Sequence, residues 1–150
     1  MKGKVPFVAQ ESCREIMGQH RCDRRIHSRF HAEAYDHVDF SQLHDFPDSS
    51  SDQQQGGPPL SLEEASEEER EATGDAVFNE WGPTRESDEA AVERALDFLF
   101  WLKERPERDF VVVTHSAWLC VAFNGAMVCD CEDLQSWFNT GEIRSTLVEF

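Results

Sequence analysis

The sequence predicts an α/β sandwich with a largely parallel sheet. Three observations lead there. Phe110-Val111-Val112-Val113-Thr114 is a β-branched run that stops at His115-Ser116-Ala117 and gives way to an apolar, helix-compatible segment. Strands buried on both faces read as such continuous runs. A long amphipathic pattern precedes it, between Ser87 and Pro106. Short strand-like segments, Val5 to Ala9 and the alternating Ser145-Thr146-Leu147-Val148-Glu149-Phe150, stand at either end. Strand, insertion, helix, strand, helix, strand is the order of an α/β domain.

Taken in turn, Val5 to Ala9 predicts a strand and Glu11 to Gly18 a turn or short helix. Gly18 to Phe30 is polar, has no clean period and predicts a loop, followed by a short helix over His31 to His37. Val38-Asp39-Phe40-Ser41 reads as a small anchor that packs one aromatic ring. Residues 45–75 form an acidic, low-complexity insertion whose Ser, Gln, Gly and Pro cannot bury enough apolar surface to order themselves. Ser87 is a good N-cap, and Asp88 and Glu89 suit the positive end of the helix it opens. Val92, Ala95, Leu96, Leu99 and Leu102 share one helical face, widened by Phe98 and Trp101. Pro106 marks the end of that helix. Trp118 to Met127 is apolar enough for a buried helix, and Glu132 to Phe138 predicts a shorter one.

The chain of 150 residues is of single-domain length. Its formal net charge of −16 is unevenly spread. Residues 1–44 are nearly balanced, whereas residues 45–75 and 76–150 are both strongly acidic. Such a surface repels nucleic acid and anionic membranes, so neither is an expected partner. Arginines gather only in the N-terminal third, at Arg14, Arg21, Arg24, Arg25 and Arg29. The five cysteines, Cys13, Cys22, Cys120, Cys129 and Cys131, include no Cys-x-x-Cys pair. Neither a disulfide framework nor a zinc knuckle follows, and a reducing, cytoplasmic setting is expected. No apolar run reaches the length of a signal peptide or a membrane span. His27 and His31 lie four apart, but no helix is clearly indicated there, so no metal site and no cofactor are expected.

Two segments carry chemistry. His115 lies where a strand hands over to a helix, the place where open α/β sheets bind ligands. Glu11 and Glu15 lie four apart in a stretch flanked by arginines. Arginine forks can grip a dianionic phosphate, and a nearby carboxyl group can protonate a leaving oxygen. On spacing alone, a surface ion-pair segment is the simpler reading of that stretch.

The order of motifs adds to this. Cys13-Arg14-Glu15, Gly18, His20, Cys22-Asp23-Arg24-Arg25, Val38-Asp39-Phe40-Ser41, Trp81, Arg85-Glu86-Ser87, Val112-Val113-Thr114-His115-Ser116 and Glu142-Ile143-Arg144-Ser145 occur in sequence. This series resembles the plant and fungal branch of the phosphoglycerate mutase-like, or histidine phosphatase, superfamily, from about Val5 to Phe150. The resemblance implies a three-layer α/β/α sandwich and phosphoryl transfer through a phosphohistidine on a small phosphate monoester. By the same resemblance, His115 is the second, charge-stabilising histidine and Glu15 the general acid, with Glu11 the alternative one turn away. Arg14, Arg24, Arg25 and Ser116 become ligands for phosphate or substrate.

Departures from the family pattern shape the expectation. The nucleophile of that family lies in an Arg-His-Gly tripeptide after an N-terminal strand, and no such tripeptide occurs here. Arg25-Ile26-His27-Ser28 is the nearest imitation and lacks the glycine. The arginine of the following helix is also missing, and Ala117 stands where the family has glycine. The expectation is therefore a single incomplete domain over 1–150 without its first strand, inactive as a phosphatase by itself. A non-catalytic phosphate-binding or regulatory relative and an acidic interaction protein are the alternatives. A strand ending at His115 would then expose an edge that a protein partner could complete.

Overall fold

The computed structural model describes residues 5–18, 28–43 and 85–150; the acidic insertion, Arg24, Arg25, His20 and Trp81 lie outside them. Strand β1 spans Phe7–Gln10, helix α1 Ser28–Ala34 and strand β2 Val38–Gln42. Helix α2 spans Asp88–Glu104, α3 Ser116–Val121 and α4 Glu132–Gln135. A 3₁₀ turn over Glu11–Cys13 follows β1, and one π-helical turn over Ala122–Ala126 extends α3. These residues fall into two compact units: 5–11, 18 and 28–43 in one, Ser12–Met17 and Arg85–Phe150 in the other. No described helix is long and apolar enough to cross a membrane.

In the first unit, β1 and β2 pair in parallel, with Phe7 opposite Val38 and Val8 opposite Asp39. The register slips by one residue before Gln10 meets Gln42. The Val38–Ser41 anchor is thus a strand, which the sequence reading did not anticipate. Its aromatic does pack as expected: Phe40 is buried and stacks with His31 of α1. The short helix begins at Ser28, three residues before the expected start.

In the second unit, α2 starts and stops where its signals place it. The Ser87 hydroxyl accepts from the Ala90 amide at 3.2 Å, and the chain leaves the helix at Arg105, just before Pro106. The buried face, however, is Ala91, Ala95 and Phe98, while Leu96 is exposed. The stripe is rotated from the one expected because Phe98 and Trp118 meet edge to face at 5.6 Å and draw that side inward. Ala95, Phe98, Trp118 and Ala122 form the core, flanked by Cys13, Trp101, Leu102 and Met127. Gly125 lets the π turn approach α2, since a Cβ there would stand 2.4 Å from Val92 Cγ2.

Two expected strands are not formed. Residues 110–114 and 145–150 have no strand partner among the described residues. Val111, Val113 and Leu147 are 93%, 90% and 94% exposed. β-Branched residues favour a pleated surface, but a strand exists only when a neighbour takes its backbone hydrogen bonds. The observed sheet is therefore the parallel β1–β2 pair, in an α/β chain.

The end of the chain is ordered by Arg144 instead. Its guanidinium donates to the carbonyls of Asp133, Ser136 and Trp137, and its plane lies over the Phe138 ring at 3.8 Å. It also pairs with Glu142, whose carboxyl is held down to about 2 by Arg144 and by the Asn139 amide. Gly141, at φ +75°, makes the turn that brings them together.

Gly125→Ala should lower the thermal midpoint, because overpacking costs about 1–3 kcal/mol. Combined with Val92→Ala the two losses should fall short of additive by at least about 0.5 kcal/mol. Strict additivity in chemical denaturation would contradict the close approach.

Candidate active site

The site is built from a coil, residues 14–17, that α2 and the start of α3 hold in place. A coil must find partners for its backbone groups, and here they are side chains. Arg94 Nη1 donates to the carbonyls of Ser12 at 2.8 Å and Arg14 at 3.2 Å. Thr114 Oγ1 donates to the Cys13 carbonyl at 2.6 Å. The Glu86 amide donates to the Met17 carbonyl at 2.9 Å. Ile16 and Met17 are almost fully buried, so apolar anchors fix the same segment.

Beneath it lies an ion triad. Arg94 grips Glu86 with two hydrogen bonds, Nε to Oε1 at 2.7 Å and Nη2 to Oε2 at 2.8 Å. Arg14 Nη1 adds a third to Oε2 at 3.0 Å. Burial of Glu86 pushes its carboxyl up, but Arg94 and Arg14 outweigh this and hold it below the usual carboxylate range. Burial drives the neighbouring Cys13 thiol up to about 12, with Arg94 opposing. That thiol is therefore protonated and inert at neutral pH.

The coil presents Glu15. Its Oε1 accepts from its neighbour's amide at Ile16, 2.9 Å away, and from the Trp118 amide at 3.2 Å. Its Oε2 lies 3.9 Å from His115 Nδ1. The imidazole side chain is 57% exposed and the carboxylate 17% exposed. His115 sits at the N-cap position of α3 with extended backbone, and its side chain makes no capping bond. The ring is free to face solvent while a carboxylate stands behind it. A carboxylate and an imidazole thus stand side by side at the surface. Trp118 anchors the arrangement from below, its indole Nε1 buried with no hydrogen-bond partner among the described residues.

The structure thus brings His115 and Glu15 together, with Ser116 next in chain at the first position of α3. Arg14 is turned onto Glu86, its side chain only 12% exposed. Glu11 is buried and belongs to the other unit. Among the described residues no three His, Cys, Asp or Glu side chains are placed to hold a metal ion. Sequence reasoning missed Glu86 and Arg94. The signal for Arg94 was available: it sits on the Ala91, Ala95 and Phe98 face of α2, where a charge needs a buried partner. Glu86 gave none beyond its place in the Arg85-Glu86-Ser87 motif.

Comparison with known proteins matches the sequence to relatives in Arabidopsis thaliana. A phosphoglycerate mutase-like protein is 28% identical over 148 residues, covering 95% of this chain and 44% of its own length. Phosphoglycerate mutase-like protein 1 is 28% identical over 148 residues, covering 95% and 42%. Phosphoglycerate mutase-like protein 2 is 26% identical over 173 residues, covering 95% and 41%. The chain is thus similar to phosphoglycerate mutase-like proteins. No family model and no solved structure matches it. The chain spans less than half the length of the curated relatives it matches.

Glu86→Gln should lower stability by about 3 kcal/mol or more at neutral pH, because it strands two buried guanidinium groups. Since the folded carboxyl is held below its ordinary value of 4.5, its contribution is full above that pH and lost as pH falls through the lowered value. The gap in thermal midpoint between the parent chain and Glu86→Gln should therefore close in acid. A gap that stays constant from neutral pH to pH 2 would contradict the assignment.

Proposed function

We propose that Glu15 and His115 belong to a phosphoryl-transfer site of the phosphoglycerate mutase-like type, acting on a small phosphate monoester. The observation that carries this reading is the 3.9 Å approach of Glu15 Oε2 to His115 Nδ1 at the start of α3. In this reading the complete domain is a three-layer sandwich with the mostly parallel sheet of its family. A histidine nucleophile attacks phosphorus and the P–O bond to the substrate alcohol breaks. Glu15 gives its proton to the departing oxygen. It then takes a proton from water as that water attacks phosphorus and releases the nucleophilic histidine. His115 offsets charge on the equatorial oxygens. Ser116, Arg24 and Arg25 serve as further phosphate or substrate ligands, and Arg14 serves through its hold on the coil. The sequence has no Arg-His-Gly tripeptide, so this chain alone binds phosphate without turning it over.

The purified chain should gain stability from inorganic phosphate or phosphoglycerate at millimolar concentration. Ligand at ten times its Kd contributes about 1.4 kcal/mol, or about 3 °C in thermal midpoint. His115→Ala should abolish that gain. Neither chain should release p-nitrophenol from p-nitrophenyl phosphate. No stabilisation, or equal stabilisation of His115→Ala, would overturn the site. Turnover that vanished with His115→Ala would instead overturn the inactivity.

A further inference from the structure

The guanidinium of Arg94 is largely buried, its side chain 14% exposed, and its hydrogen bonds converge on the segment that carries Glu15. Its Nη1 holds the carbonyls of Ser12 and Arg14, which lie on the N-terminal side of Glu15. Its Nε and Nη2 are committed to the two oxygens of Glu86. Glu86 in turn fixes the other side, since its amide donates to the Met17 carbonyl. Two residues eight apart at the N-terminal end of α2 thus bracket Glu15 from both directions. A further restraint, Thr114 to the Cys13 carbonyl, comes from the residue next to His115.

We propose that Arg94 is a positioning residue that holds the Glu15 carboxylate against the Trp118 amide and His115. The proposal rests on the reading of Glu15 and His115 as a phosphate site for its catalytic meaning, but not for its geometry. A bidentate Arg–carboxylate pair has a fixed planar shape, so the third nitrogen is aimed once the other two are engaged. A lysine can neutralise Glu86 but cannot also span the carbonyls of Ser12 and Arg14 in that geometry. Charge and position are therefore separable by substitution. Without Arg94 Nη1, the coil loses two of its anchors while Ile16 and Met17 remain buried. Glu15 would then sample orientations in which Oε1 no longer meets Trp118.

The readout is the backbone amide of Trp118, followed by two-dimensional NMR in the full chain while pH is lowered. In the parent chain this amide should move as pH falls, and Glu15→Gln should erase the movement. Arg94→Lys, which keeps the charge opposite Glu86, should remain folded and lose more than half of the amplitude. The amides of Ala95 and Phe98 should keep their shifts, which separates positioning from general damage. Arg94→Met should lose the whole movement; if it does not fold, Arg94→Lys decides alone. A full-amplitude movement in Arg94→Lys would overturn the proposal. Phosphate titration of the same samples separates the two ideas. Parent chain that shows the Trp118 movement but binds no phosphate would refute the functional reading and leave the positioning role standing. Phosphate affinity unchanged in Arg94→Lys, with the Trp118 movement also unchanged, would refute the positioning role and leave the functional reading standing.

Discussion

The bidentate pair between Arg94 and Glu86 is the interaction on which the second unit's surface chemistry depends. Two charges this deeply placed are costly to desolvate, and removing one partner typically costs about 3–5 kcal/mol. The chain recovers that cost by using the pair as a fastener. One side is anchored in α2, whose cap at Ser87 and apolar contacts through Ala95 and Phe98 make it rigid. The other side is a coil that has no ladder of its own. Arg14, from the coil, closes the triad on the same carboxylate. The result is that a loop residue, Glu15, inherits the precision of a helix, as sites held by rigid supports generally do.

A second constraint works through α3. Trp118 lies in the core against Phe98, so the start of that helix cannot drift. His115 immediately precedes that helix and Ser116 begins it, and the Trp118 amide donates to Glu15. Core packing, helix start and carboxylate are thus one connected arrangement. The apolar residues that this arrangement leaves outside are equally telling. Val111, Val113 and Leu147 stand in water although their residue types belong in a sheet.

Several features were legible from residues alone. The Ser87 cap, the acidic first turn and Pro106 located α2 because helix ends are governed by local chemistry. His115 and Glu15 were singled out by motif order, and they do lie together. Other features were not legible because they depend on what each residue meets. Val38–Ser41 read only as a small anchor for one aromatic ring, and its strand form comes from pairing with Phe7 and Val8. The Val-rich run and Ser145 to Phe150 have strand composition without a described neighbour, and composition cannot supply one. The rotation of the α2 face toward Ala91 follows from where Phe98 finds Trp118. The role of Arg94 required seeing that a charge on that face was matched by Glu86 at the entrance to the same helix.

The most direct test is a crystal structure of the chain soaked in phosphate or tungstate. If Glu15 and His115 form an anion site held by the Arg94–Glu86 pair, the anion should lie within hydrogen-bond reach of His115. Glu15 should still accept from the Trp118 amide, and both carbonyls should remain on Arg94. An anion bound only elsewhere, or a Glu15 side chain turned away from His115 while Arg94 keeps its contacts, would contradict the account.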